Sequence, residues 1–371
     1  MKKKILHIQV IPKLSGVQKV SLEIFKGLPN KDYEKWILFS DSTDAGDKEA
    51  CKKAFEDSGA KILYTKNLHR AIGKSDFSAL WEIYTLCKKE RFDIVHTHST
   101  KPGIIGRIAA TLAGTPLVIH TVHGLSFHHF VKFPVWQFYW MCEMFASLFC
   151  DHIVMVNRYY KKYFKWYRKK HSVIYNGIDY TIYSTVPQKL KTNNEINILS
   201  VGRLDTPKDP ITLLRAAKIV LEKNQSVRFT LVGDGEKYQD CLDFIEANHL
   251  TSFITLAGWQ NDVSHYYATA DIFTLSSIYE SFGLIFLEAG YFELPVVSTN
   301  VEGIPEVVAD GETGILCNPR DSEALAQNIL KLVNNPGLRL QLGKKGKQRV
   351  TSLFTQQRMV SSYLAIYESN Y

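Results

Sequence analysis

The sequence predicts an α/β protein of two domains, each a doubly wound parallel sheet. Three observations carry that expectation. Short runs rich in Val, Ile and Leu alternate with helical patterns of about 10 to 15 residues, the signature of βαβ units. Several runs are continuously apolar, as in strands covered on both faces. The chain has 371 residues, too many for one ordinary core, and the alternation restarts after a polar, aperiodic stretch, "TIYSTVPQKLKTNNE", at 181–195.

In order, strands are expected at 4–11, 36–40, 61–64, 93–98, 117–122 and 153–156. A second series is expected at 196–201, 228–232, 254–256, 272–275 and 295–298. Helices fill the gaps at 16–28, 75–90, 103–113, 209–224, 236–248, 283–293, 321–334 and 337–350. The domains are therefore expected at 1–180 and 196–354, joined by a linker at 181–195. In doubly wound sheets ligands bind beyond the carboxyl ends of the strands, and most motifs below fall there.

Composition narrows the class. The net charge is +8, with 45% hydrophobic and 22% charged residues. Residues 1–180 hold 28 Lys and Arg against 16 Asp and Glu, whereas 181–371 hold 17 against 21. A basic domain beside a mildly acidic one implies an anionic partner for the first half alone. "MKKK" runs into "ILHIQVI", too short for a secretory signal, and no 18-residue uncharged apolar run exists. Six scattered cysteines with no CxxC pair read as reduced thiols of a cytosolic protein.

The chemistry centres on "YESFGLIFLEAGYFELP", 279–295. Glu288 interrupts an apolar helical run, and a buried carboxylate is costly unless something pairs with it. Positions eight apart in one helix lie about 80° apart on the wheel. Glu280 and Glu288 converge only if Glu280 sits in the preceding loop. Ser281 and Gly283 supply that entry, and a helix N-terminus reached through such a loop is an anion site. The two glutamates then read as hydroxyl acceptors flanking a phosphate.

This arrangement resembles the E-x7-E motif of the retaining family 4 glycosyltransferases, which have the GT-B fold of two Rossmann-like domains facing a cleft. "SVGRLDTPKDP" (200–210) is similar to the family's "GRL…K" segment. "IYNGID", "FDIVHTHS", "HTVHG" and "LVGDGE" match further segments, so the resemblance spans nearly the whole chain. It implies that Gly202 belongs to the donor site and that Arg203 and Lys208 clamp a diphosphate. Glu280 would hold the donor sugar, and Glu288 the ribose hydroxyls. Backbone N–H groups of Phe282, Gly283 and Leu284 would meet sugar and phosphate. His123 would stand near the reacting centre, and Gly16 would face the diphosphate. The family commonly shows a glycine pair at the last position, where this chain has Ser15 and Gly16. Residues 355–371 are expected to form a helix crossing back to the N-terminal domain.

Each residue also has a plainer reading. Glu280, Arg203 and Lys208 could be solvated loop charges, and His96 and His120 read as hydrogen-bonded strand-end residues. "GDG" at 233–235 is not a GxGxxG dinucleotide fingerprint. No Asp-x-Asp triplet or clustered His/Cys set appears in the sequence, so metal-independent chemistry is expected. A departing nucleoside diphosphate would then be stabilised by fixed cations and helix N–H donors.

Fifteen aromatics fall between Phe127 and Tyr167, and seven Lys or Arg between Arg158 and Lys170. That composition suits an interfacial membrane segment on an anionic surface, whereas no nucleic-acid module is recognisable. The alternative is a core helix at 134–150 beside a solvated basic face. The sequence thus reads as a cytoplasmic transferase, peripheral on the inner face of the membrane. It would move a hexose or N-acetylhexosamine from a UDP-sugar to a polyprenyl-diphosphate-linked or other lipid-linked saccharide. A nucleotide-sugar epimerase and a non-catalytic membrane-binding protein are the alternatives.

Overall fold

The computed structural model describes residues 2–41, 48–69, 73, 75–128, 131–165, 167, 170–187 and 195–369. The chain forms two compact units, Met1–Gly177 with Gln356–Tyr371, and Ile178–Thr355.

The first unit runs β1 (Lys3–Ile8), α1 (Gly16–Gly27), β2 (Tyr33–Ser40), α2 (Lys48–Asp57), β3 (Ala60–Thr65), α3 (Ser75–Glu90), β4 (Ile94–His98), α4 (Thr100–Leu112), β5 (Leu117–Val122), α5 (Val135–Ser147), β6 (His152–Met155) and β7 (Lys170–Val173). The second runs β8 (Ile196–Val201), α6 (Pro210–Lys223), β9 (Val227–Val232), α7 (Tyr238–Ala247), β10 (Ile254–Gly258), α8 (Ser264–Thr269), β11 (Ile272–Leu275), α9 (Leu284–Tyr291), β12 (Val296–Thr299), α10 (Ile304–Val307), β13 (Gly314–Cys317), α11 (Ser322–Val333) and α12 (Pro336–Leu353). α13 (Gln356–Glu368) returns to the first unit.

Both sheets are parallel, ordered β3-β2-β1-β4-β5-β6-β7 and β10-β9-β8-β11-β12-β13. The order reverses between β1 and β4 and between β8 and β11. These are the switch points where open α/β sheets bind ligands. Central strands are buried on both faces, as the continuous apolar runs require: Ile5, Leu6 and Ile8 in β1, and Ile198 and Leu199 in β8.

The two strands absent from the sequence reading, β7 and β13, are four-residue edge strands. β7 is "KHSV", with its first half exposed, so it shows no apolar run. The loop from Gln9 leaves the ladder three residues before the expected end of the first strand. The chain passes from the first unit to the second at Gly177–Ile178, before the polar stretch at 181–195. Of that stretch, Tyr183 packs within the second unit on Tyr291 and Phe292, with ring centroids 5.5 and 5.3 Å apart. Residues 188–194 lie outside the described residues. α13 packs against α1, where Gln356 donates to the Glu23 carbonyl at 3.1 Å.

Candidate active site

At the carboxyl end of β8 the chain is held by the loop after β9. Gly202 N–H donates to Val232 O (3.0 Å), and Leu204 N–H to Asp234 O (3.0 Å). Gly233 sits at φ +143°, and a Cβ there would lie 1.9 Å from the Gly202 carbonyl oxygen, so only glycine permits this approach. Asp205 then caps a single 3₁₀ turn, Thr206–Lys208, accepting from Lys208 N–H. The same carboxylate takes the Arg203 guanidinium at 2.8 Å. Asp209, in the left-handed region at φ 47°, turns the chain into α6, with Pro210 in its first turn. Just beyond β11, the Ser276 hydroxyl donates to Asp209 O (2.7 Å) and Lys208 O (3.1 Å). Ile278 N–H donates to Pro207 O at 2.9 Å. The Lys208 ammonium, fixed by these bonds, pairs with the Glu280 carboxylate, and both side chains are largely buried.

Gly283, at φ +80°, is the N-cap of α9, and a Cβ there would strike the Phe286 ring at 2.5 Å. Leu284 is the first helical residue, and Phe282 is buried against Phe354 at 5.6 Å. Glu280 therefore stands in the loop and Glu288 inside the helix, as their spacing demands. Glu288 is 3% exposed. Tyr183 and Tyr267 share side-chain hydrogen bonds with it. Burial first and the Glu288 carboxylate second push both phenols up, so they stay protonated donors. A buried carboxylate amid apolar residues is thus satisfied by two aromatic hydroxyls. Gly202, Arg203, Lys208 and Ser276 line a small depression at the switch point of this sheet.

His123 and Gly16 belong to the first unit. Gly16 is the first residue of α1, with open space where a Cβ would stand. His123 follows β5, and its Nε2 lies 3.0 Å from His98 Nδ1. Desolvation pushes its imidazole down to about 3, so it is neutral at ordinary pH. His96 and His120 are buried and hydrogen-bonded to Thr121 (2.7 Å) and Thr97 (2.9 Å).

Four participants were missed by sequence reasoning. Asp205 and Ser276 position cations through backbone turns, which leave no pattern in side-chain identity. Tyr183 and Tyr267 reach Glu288 from elements far off in sequence. The fold also gathers His7, His96 and His98, with ring nitrogens within 4.8 Å of one another, from β1 and β4. The aromatic stretch divides in two. Phe127, Tyr160, Phe164 and Tyr167 are buried in one cluster with Trp136 and Trp140 packed on it. Val135, Phe138, Met141 and Phe145 of α5, with Leu148 at its C-cap, are 48–65% exposed and lie within an arc of about 140° on the helix. Lys161, Lys162 and Lys165 are exposed nearby in sequence, and Trp166, Arg168 and Lys169 lie outside the described residues. No helix among the described residues is long and apolar enough to cross a membrane.

Two parallel-sheet units, cations beyond one switch point and a glutamate pair eight residues apart define a sugar-transferring class of enzyme. Residues 14–181 match the family model "Glycosyltransferase Family 4", and 184–349 match "Glycosyl transferases group 1". The chain belongs to the family 4 glycosyltransferases and has their GT-B fold. It is 32% identical to an Escherichia coli UDP-Gal:alpha-D-GlcNAc-diphosphoundecaprenol alpha-1,3-galactosyltransferase, over 98% of this chain and 96% of that protein. It is 28% identical to the capsular polysaccharide biosynthesis glycosyltransferase CapM of Staphylococcus aureus, over 95% and 94%. In structure it is similar to Anabaena Alr3699/HepE in complex with UDP and glucose, with TM-score 0.82 and 18% identity over 98% of this chain and 99% of that one.

Proposed function

We propose that this glycosyltransferase moves a hexose or N-acetylhexosamine from a UDP-sugar to a polyprenyl-diphosphate-linked saccharide, with retention at the anomeric carbon, in bacterial surface-polysaccharide assembly. The observation that carries the reading is the Lys208–Glu280 pair at the mouth of α9, beside Gly202 and Arg203. Lys208 and Arg203 meet the charge that develops on the departing diphosphate, and the N–H dipoles at the start of α9 add to it. Glu280 gives up part of its ion pair to accept from the sugar hydroxyls. Glu288 accepts from the ribose, its remaining lone pairs already oriented by Tyr183 and Tyr267. On the family resemblance, Gly16 is assigned to the diphosphate and His123 to the sugar. No metal has a part in this chemistry. The E. coli relative, whose name specifies UDP-Gal and a diphosphoundecaprenol acceptor, supports the donor and acceptor classes.

The reading extends to the membrane. The apolar stripe of α5 rests on the cytoplasmic face of the lipid bilayer, and Lys161, Lys162 and Lys165 meet anionic headgroups.

The test incubates the full-length protein with a panel of UDP-sugars and a short polyprenyl-diphosphate-linked N-acetylglucosamine. A product of the same anomeric configuration as the donor is expected by NMR. An isomerised nucleotide sugar would mean an epimerase, and an untouched donor across the panel would remove the catalytic reading. Sedimentation with phosphatidylglycerol vesicles tests the membrane face. Phe138→Ser with Phe145→Ser, or the three lysines changed to Gln, should release the protein; unchanged pelleting would place α5 elsewhere.

A further inference from the structure

His123 does not stand alone. Behind it, at the carboxyl ends of β1 and β4, His7, His96 and His98 are fully buried. A neutral imidazole has one N–H and one lone pair, so a ring bonded on both sides passes on the direction of its hydrogen bonds. Burial holds all three rings, and His123, far below their ordinary pKa, hence neutral.

The direction is set at the far end. Tyr363 of α13 is buried, and the partner of its hydroxyl among the described residues is Thr121 Oγ1, at 3.1 Å. A buried hydroxyl proton left without an acceptor is costly, so Tyr363 donates to Thr121. Thr121 in turn donates to His96 Nε2 (2.7 Å), which leaves the His96 proton on Nδ1. That N–H donates to the Tyr367 hydroxyl (2.7 Å), and Tyr367 donates to His7 Nε2 (3.4 Å). His7 therefore carries Nδ1–H, donated to Ser21 Oγ (3.1 Å) and shared with His98 Nε2 (3.1 Å). Ser21 also accepts from the Gln9 amide, whose N–H group reaches Val17 O at 3.4 Å as well, while Gln9 Oε1 is buried with no partner among the described residues. The Ser21 proton then goes to His98 Nε2, at 3.2 Å. His98 holds its proton on Nδ1 and donates it to His123 Nε2 at 3.0 Å. The His123 proton is left on Nδ1, which bonds to no described residue. The reverse direction would strand one hydroxyl proton, that of Tyr363 or that of Thr121.

We infer that His98 is a positioning residue that fixes His123 as its Nδ1–H tautomer, so that His123 offers the substrate a hydrogen-bond donor and not a base. The inference rests on the proposed placement of His123 at the donor sugar. The ring nitrogens of His7, His96 and His98 also span the distances of a metal ligand set, but each already has a hydrogen-bond partner.

The experiment uses the full-length protein labelled with ¹⁵N-histidine. Proton-coupled nitrogen shifts, assigned with His123→Ala, should show a protonated Nδ1 and an unprotonated Nε2 on His123. In His98→Leu, His123 should become a mixture of tautomers. Its kcat should fall about 10- to 100-fold, as when a residue orienting another is lost, with KM for the nucleotide sugar unchanged. His98→Asn, whose amide N–H takes the place of Nδ1–H, should recover both the tautomer and most of kcat. A wild-type His123 protonated on Nε2 overturns the inference, whatever the variants do. So does a His98→Leu protein with wild-type tautomer and kcat, or stoichiometric zinc binding that shifts His7, His96 and His98 together. Full activity in His123→Ala, with the wild-type spectrum as expected, would instead overturn the placement of His123 at the donor.

Discussion

At the scale of residues, the two glutamates are set apart by their surroundings. Glu280 is held by a lysine at the edge of the site, whereas Glu288 is buried and held by two tyrosines. Glu288→Ala takes the carboxylate acceptor from the Tyr183 and Tyr267 hydroxyls, and Tyr267 keeps only a long contact to the Ile285 carbonyl (3.5 Å), so a destabilisation of about 1–3 kcal/mol is expected. Glu288→Gln keeps an acceptor for them and should fold, yet on the proposed ribose role it should bind UDP at least about tenfold more weakly in calorimetry, since a charged acceptor becomes a neutral one. Unchanged UDP affinity in the Gln variant would sink the ribose role. On the proposed role of Glu280 in orienting the sugar, Glu280→Ala should lower kcat more than it alters nucleotide affinity. Lys208→Ala should cost on the order of 3 kcal/mol in kcat/KM, by analogy with a lost oxyanion donor, while leaving Glu280 without its cation. Wild-type turnover should persist in excess EDTA; abolition reversed by manganese would show that a metal takes part.

At the scale of elements, what the sequence revealed was whatever depends on burial along one segment. Strands such as 117–122, 196–201 and 272–275 are apolar runs covered on both faces, and they fall at Leu117–Val122, Ile196–Val201 and Ile272–Leu275. Edge strands such as Lys170–Val173 escape because one side faces water and polar residues suffice. The glutamate spacing was legible because one helix and its entry loop carry both residues. The tyrosines on Glu288 and the imidazole row were not, since each assembles from several strands and helices. Gly283 shows the limit of local reading. A turn glycine is visible in the sequence, but the reason for it is the Phe286 ring 2.5 Å from the missing Cβ. Gly283→Ala must adopt a left-handed φ and displace that ring, so it should destabilise the second unit by about 1–3 kcal/mol. It should also lower activity by moving Glu280. An unchanged melting temperature would mean that the entry loop relaxes freely.

At the scale of the whole molecule, the two units should differ in their response to acid. Burial lowers the pKa of His7, His96, His98 and His120 well below the ordinary 6.5. It lowers His123 to about 3 and His152 to about 4. All six belong to the first unit. In the unfolded chain these rings take up protons as pH falls through about 6.5, whereas in the folded unit they do not. The unfolded state therefore binds more protons, and stability falls as pH falls, with a slope of up to about 1.4 kcal/mol per pH unit for each fully buried ring. That slope begins near pH 6.5 and persists until the folded rings titrate, near 4 for His152 and near 3 for His123. Above pH 7 the term is absent, because neither state is protonated. Calorimetry from pH 7.5 to 5 should show the melting of the first unit moving steeply down, ahead of the second. Replacing His96 with Gln, which keeps an amide between Thr121 and Tyr367 but cannot titrate, should flatten that slope by about one proton. A first-unit transition that holds its temperature down to pH 5 would mean that these rings do not stay neutral in the folded protein.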